Sequence, residues 1–290
     1  MSRYSGMRRQ QLGLSLVELM VALVLGLVLM TGIIQVFLSS RQTYATNEAM
    51  ARMQENGRFA LEFISRSARL AGYAEPIYIG EKPLPIVRPS CTGQPGDLPD
   101  TPPCSLNGNG NGSDSIGFIM RPPIVDGARR DCIGNNLDNP ATPAKLIDGN
   151  DLIINEFSIQ DDNGQSALTC RTYAYDSVTG IGKWTAGPGY QSLIDGIDRL
   201  QILYGISTGG DSRSANQYVS ADRVGSNLSD WQKVRSVRIS VLANSVVTTN
   251  STAANRRFAL LDATPTPADL NDDQRSRQIF TTTIQLKNTD

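Results

Sequence analysis

The 290-residue sequence predicts an α+β protein. One long N-terminal helix, membrane-spanning in its first half and amphipathic in its second, packs on an antiparallel β-sheet C-terminal domain. Three observations predict this. Over residues 14–38 the only ionisable side chain is Glu18. From Ala49 to Ala71 the small and apolar residues recur at helical spacing. Beyond residue 113, short segments alternate apolar and polar with period two, and no helical segments are interleaved, which disfavours a parallel βαβ sheet.

The chain starts with a basic leader. Residues 1–13 contain Arg3, Arg8 and Arg9 and no acid. At about 1.5 Å per residue, the apolar run over 14–38 spans roughly 37 Å as a helix, more than a hydrocarbon core of about 30 Å. The basic flank is expected to stay cytoplasmic, which places everything after Leu38 outside. A secretory signal peptide has a shorter apolar core with its small-residue cleavage site behind it. Here the small residue, Gly13, stands in front. Gly26, Thr31, Gly32 and Gln35 interrupt the run, and Ala22 with Gly26 forms a small-xxx-small pair that allows close helix contact. A carboxylate is costly in hydrocarbon, so Glu18 marks function.

The helix is expected to continue to about Ala71. Ala49, Met53, Gly57, Ala60, Ile64, Ala68 and Ala71 follow a mean step of about 3.7, which makes one stripe on a helix. Glu48 with Arg52 and Glu62 with Arg66 stand at i,i+4 on the opposite surface. Gly72 suits a left-handed cap, and Pro76 follows. The organisation is then a leader over 1–13, a membrane and assembly half-helix over 14–38, an amphipathic half-helix over 39–72, and a β-rich domain over 73–290.

Eight prolines between 76 and 103 exclude a regular helix there. The Asn-Gly tract over 107–112 reads as turn-forming or mobile. A calcium loop is weakly supported, since Asp114 is the only charge nearby and no EF-hand spacing appears. Strands are expected over 116–120, 152–159 and 168–175, and in the alternating segments 200–206, 237–243 and 280–286. The polar stretches 208–227 and 248–277 read as long loops.

Composition excludes several functions. The chain has no histidine, which removes the commonest general base and metal ligand, and no catalytic residue, metal or cofactor is expected. A net charge of −1 argues against a nucleic-acid surface. Cys91, Cys104, Cys132 and Cys170 lack zinc-type spacing, and their even number suggests two disulfides in an oxidising compartment. Three pairings are open. Cys91–Cys104 with Cys132–Cys170 is preferred, because the first pair brackets a short loop.

Gly13-Leu14-Ser15-Leu16-Val17-Glu18 resembles the prepilin processing motif, with Leu14 and Ser15 as conservative departures from its usual Phe and Thr. The segments over 54–61, 69–73, 194–205, 231–239 and 280–288 resemble PilW-type minor pilins. The resemblance implies a type IV pilin-like fold. It implies cleavage between Gly13 and Leu14 by a prepilin peptidase, methylation of the Leu14 amine, and a register role for Glu18 during assembly. The subunit would wait in the inner membrane with its C-terminal domain periplasmic, then join other minor pilins in a complex that primes the pilus and sits at its tip. Partners would include the major pilin and a large tip adhesin. The same architecture also fits a type II secretion pseudopilin, or a tip subunit that itself adheres.

Overall fold

The computed structural model describes residues 15–72, 78–79, 82–83, 105–122, 124–139, 152–162, 164–176, 183–186, 189–209, 214–225, 227–249, 257–270 and 274–288. The leader, the Gly13–Leu14 bond, Cys91 and Cys104 lie outside the described residues. The chain divides into two compact units, Met1–Glu48 and Ala49–Asp290.

The boundary falls within helix α1, Leu16–Leu70. Its start is capped by Ser15, whose Oγ accepts from the Val17 N–H at 3.3 Å. Polar side chains in the apolar half turn back on their own helix. Thr31 Oγ1 donates to the Leu27 carbonyl at 2.8 Å, and Thr43 Oγ1 to that of Ser39 at 2.9 Å. Neither hydroxyl therefore needs water. At the other end Gly72 takes the left-handed conformation expected of it, with φ of 70°. Its N–H donates to the Ile119 carbonyl at 3.0 Å, so the helix stops where it meets a strand.

In the second unit all seven residues of the helical stripe are buried. One surface pair differs from expectation. Glu62 lies 4.0 Å from Arg69, two turns along, rather than against Arg66. Both side chains are exposed, so the pair contributes little.

Besides two short two-stranded ribbons, 78–79 with 82–83 and 124–125 with 128–129, the β-domain contains two larger antiparallel sheets among the described residues. The first is formed by β1 (Ile116–Met120), β2 (Ile153–Asp162), β3 (Gln165–Asp176), β4 (Lys183–Ala186) and β5 (Gln191–Asp195). Its order is β1-β2-β3-β4, and β5 also pairs with β3. The second contains β6 (Ile197–Ile206), β7 (Gln217–Val219), β8 (Val234–Asn244) and β9 (Arg277–Gln285), in the order β7-β6-β8-β9. Period-two patterning puts Leu200, Ile202 and Tyr204 opposite Val241, Ile239 and Val237. They join Ile116, Phe118, Ile153 and Phe157 of the first sheet and the helix stripe in one core. On the other face of the second sheet, Leu242 packs with Leu260 and Leu270 in a smaller cluster.

Gly196 is the corner between the sheets. Its N–H donates to Ser166 O on β3 at 2.8 Å, and its carbonyl accepts from the Asn244 N–H on β8 at 2.7 Å. With φ of 74° and Val246 Cγ2 2.8 Å from where a Cβ would sit, only glycine fits.

Two sequence expectations change and a third is narrowed. The stretch 208–227 holds β7 and a short helix, Ala221–Val224, rather than loop alone. The stretch 248–277 holds a 3-10 turn, Pro267–Leu270, and ends inside β9. The Asn-Gly tract takes the turn-forming alternative, with the Gly112 N–H donating to the Asn109 carbonyl at 2.9 Å, and its side chains are anchored across the fold. Asn107 donates to Asp222 at 3.1 Å and Asn111 to Asp269 at 3.1 Å, while Ser113 Oγ accepts from the Leu200 N–H at 2.8 Å. Short polar side chains find partners far away in sequence, which local turn propensity does not record.

Candidate assembly surface and the network that supports it

The first unit offers one chemical feature. Glu18 sits in the first turn of α1, where the helix dipole favours a negative charge. The side chains that flank and follow it are apolar and exposed: Val17, Leu19 and Val21 stand at 66%, 53% and 53%. An 18-residue window of this helix reaches a mean hydropathy of 2.6, long and apolar enough to cross a membrane. Arg41 is the first cation after the apolar run, and its guanidinium lies 4.5 Å over the Phe37 ring. Gly26 and Gly32 have nothing within 4 Å of where a Cβ would stand, so the contacts within this chain do not require their small size.

Among the described residues of the second unit, three buried carboxylates are held by polar partners. Asp198 on β6 meets Arg277 on β9, with Arg277 Nε 2.7 Å from Asp198 Oδ2. Asn244 on β8 donates to the other carboxylate oxygen at 2.7 Å. Arg277 also donates to the Leu270 carbonyl at 3.0 Å. Both charged side chains are almost fully buried, so three strands and the 3-10 turn meet on one compensated charge pair.

Asp114 latches the Asn-Gly tract to the second sheet. One carboxylate oxygen accepts from the Gly108 N–H at 2.8 Å and the other from the Ile202 N–H at 2.7 Å. Burial pushes its pKa up to about 7, against the lowering effect of those two hydrogen bonds, with Asp262 and Asp222 adding to the rise.

Glu156, on the face of the first sheet away from the helix stripe, accepts from the Tyr173 hydroxyl at 3.1 Å and the Tyr190 hydroxyl at 3.2 Å. Burial raises its pKa, opposed by the two tyrosine hydrogen bonds and by Arg171. The Arg171 guanidinium lies over both rings, 5.1 and 5.6 Å from their centres. Each of these carboxylates is satisfied by partners within the β-domain. Among the described residues no three Asp, Glu or Cys side chains converge as a metal site.

Among the described residues a disulfide joins Cys132 and Cys170, fastening the loop after residue 129 to β3 across 38 residues. Of the residues singled out from the sequence, Glu18, Cys132 and Cys170 are therefore placed. Gly13, Leu14, Cys91 and Cys104 lie outside the described residues. The sequence reading missed the Asp198–Arg277 pair, because Arg277 closes a polar stretch that reads as loop. It read Asp114 only as a weak cation ligand.

The prokaryotic N-terminal methylation motif matches residues 8–34, the stretch that holds Gly13, Leu14 and Glu18. The family described as type IV pilus-assembly protein W matches residues 156–288, from within β2 to beyond the end of β9. The chain carries a prokaryotic N-terminal methylation motif and a PilW-type β-domain. The PilW match contains Glu156, Cys170, Asp198, Asn244 and Arg277, so the buried pair and its neighbours belong to the matched β-domain. The helix segments over 54–61 and 69–73 that resemble the family lie outside both matched stretches. No curated protein matches the sequence. Among solved structures, this chain is similar to a type IV-like pilin, TTHA1219, from Thermus thermophilus. The identity is 13% over 82% of this chain and 99% of that one, with a TM-score of 0.38. An overlap that loose does not bear on function.

Proposed function

We propose that this PilW-type chain is a minor pilin that joins other minor pilins in a membrane complex priming type IV pilus assembly, and that it stays at the pilus tip. The observation that carries the reading is Glu18, the one ionisable side chain in the apolar half-helix, in the first helical turn inside the methylation motif.

In this reading a prepilin peptidase cuts between Gly13 and Leu14 and methylates the new Leu14 amine. Glu18 becomes the fifth residue of the mature chain. The helix stays in the inner membrane, with the basic end cytoplasmic and the β-domain periplasmic, until it moves from lipid into a bundle of similar helices. There the Glu18 carboxylate needs a cation, and the N-terminal amine of a neighbouring subunit supplies one. Burying an ion pair costs much of what the attraction returns, so the pair sets register more than it adds stability. The subunit is structural, with no catalytic role.

The test is the intact mass and N-terminal peptide of the protein from sheared pili and from membranes. The expected chain starts at Leu14 and is one methyl group heavier. A chain that still starts at Met1 in both fractions would overturn the reading. Glu18→Ala is expected to be inserted and cut normally but to lower pilus number roughly tenfold, the effect of losing about 1.4 kcal/mol at the assembly step. Wild-type piliation by this variant would count against the register role. Gly13→Val should leave the leader attached.

A further inference from the structure

Beside the second half of α1 lies a groove of about 660 Å³, between helix residues 63–70, the loop 130–135 and the start of β5. We infer that this groove docks an acidic, apolar-rich surface segment of another pilin subunit. The inference rests on the pilin reading and adds to it the place of contact and the chemistry of the partner.

Four observations carry it. The walls are apolar: Phe63 and Leu70 from the helix, Ile133 from the loop and Leu193 from β5. The groove also has an unspent donor. Asn155 is 4% exposed and lines it. Its Oδ1 accepts from Thr172 at 2.8 Å. Its amide nitrogen has two protons, and the one acceptor it finds among the described residues is the Met120 sulfur at 3.8 Å, a weak one. A buried amide proton without an acceptor costs free energy that an incoming carbonyl or carboxylate oxygen would recover.

The rim is basic. Arg66 is exposed and has no ion-pair partner among the described residues, and Arg130 is exposed with one N–H held by the Gly134 carbonyl at 2.8 Å. The acid beside them, Asp131, is committed to its own loop. It accepts from the Ile133 N–H at 3.0 Å, the Asn135 N–H at 2.8 Å and the Asn135 amide at 3.0 Å. A partner with acidic residues complements this rim.

The apolar surface also extends beyond the groove. Val125 lines it, and Ile124 beside it is 73% exposed. Both sit on a two-residue ribbon whose turn, Asp126-Gly127, has φ of 51° and 77°, a rigid Asp-Gly hairpin. Phe59, one turn before Phe63, is 49% exposed. Exposed apolar side chains beside an open groove rimmed by charge suit a protein segment better than a small molecule.

The test places a photoreactive benzoylphenylalanine at Phe63 of the full chain in its native strain, with each other pilin subunit epitope-tagged in turn. A second variant carries the photoreactive group at Val28, in the apolar half-helix. The expected result is an adduct from Phe63 to a different pilin subunit, reduced at least about fivefold by Arg66→Glu or Arg130→Glu. Retention of the Cys132–Cys170 bond in those variants shows that the domain still folds. Adducts from Val28 but none from Phe63 would overturn the docking site and leave the pilin reading intact. An adduct from Phe63 only to a second copy of this chain would overturn the choice of partner. A Phe63 adduct indifferent to both charge reversals would overturn the acidic chemistry. No adduct with any pilin from either position would overturn the pilin reading, and the docking site with it.

Discussion

Gly57 sits in the buried stripe of α1, where a Cβ would stand 2.3 Å from Cδ2 and 2.4 Å from Cε2 of Phe280 on β9. Carbon atoms in contact prefer about 3.5–4.0 Å, so Gly57→Ala forces a movement of more than about 1 Å. Either the helix lifts off the second sheet, or the Phe280 ring, packed against the core, swings out. Overpacking of this kind costs about 1–3 kcal/mol. Against it stands the gain of about 1 kcal/mol from replacing glycine by alanine within a helix. The net expectation is a loss of up to about 2 kcal/mol. For a domain of this size that lowers Tm by up to roughly 8 °C. The assay is thermal unfolding of the detergent-solubilised chain, followed by near-ultraviolet circular dichroism. Phe280→Leu in the Gly57→Ala background should recover most of the loss, because the smaller side chain vacates the clash. A rise in Tm for Gly57→Ala alone would show that helix propensity governs this position and that the contact with Phe280 is not tight. Additive effects in the double variant would refute the coupling.

Three further outcomes are expected. Asp114 has a folded pKa of about 7 against an ordinary 3.8, so its contribution to stability is fully present below about pH 3.8 and fades as the pH rises to about 7, by about 4 kcal/mol at most. Asn at this position cannot accept from both Gly108 and Ile202, so Asp114→Asn should be clearly destabilising at pH 4 and closer to wild type at pH 8; a denaturant midpoint difference that does not change between those pH values would refute the assignment. Arg277→Met leaves the buried Asp198 uncompensated and should cost about 3–5 kcal/mol, readable by chemical unfolding, whereas a change below about 1 kcal/mol would mean that the pair is hydrated. Replacing Cys132 and Cys170 by serine frees a 38-residue separation and should cost about 4 kcal/mol on loop-closure grounds, seen as a lower midpoint and faster proteolysis near residues 130–139.

The long helix and its two characters were legible because both signals are local. Absence of charge over 14–38 and a 3.6-residue period over 49–71 need no knowledge of the rest of the chain. The strand pattern was legible for the same reason, and Leu200, Ile202 and Tyr204 face the core as their alternation requires. The motif around Gly13 and Glu18 carried the family.

Contacts between distant residues were settled only by the tertiary structure. Asp198 and Arg277 are 79 positions apart, and nothing near Arg277 distinguishes it from a solvated arginine in a polar stretch. Asp114 becomes a latch because β6 runs past it with the Ile202 N–H directed at its carboxylate, 88 residues later in the chain. Gly196 is required because two sheets meet there, a fact its neighbours in sequence do not encode. The groove beside α1 has the same origin. Phe63, Asn155 and Leu193 belong to different elements, and only the packing of the helix on the first sheet brings them to one surface. Periodicity fixes which face of an element is buried, whereas long-range hydrogen bonds and sheet order decide what that face meets.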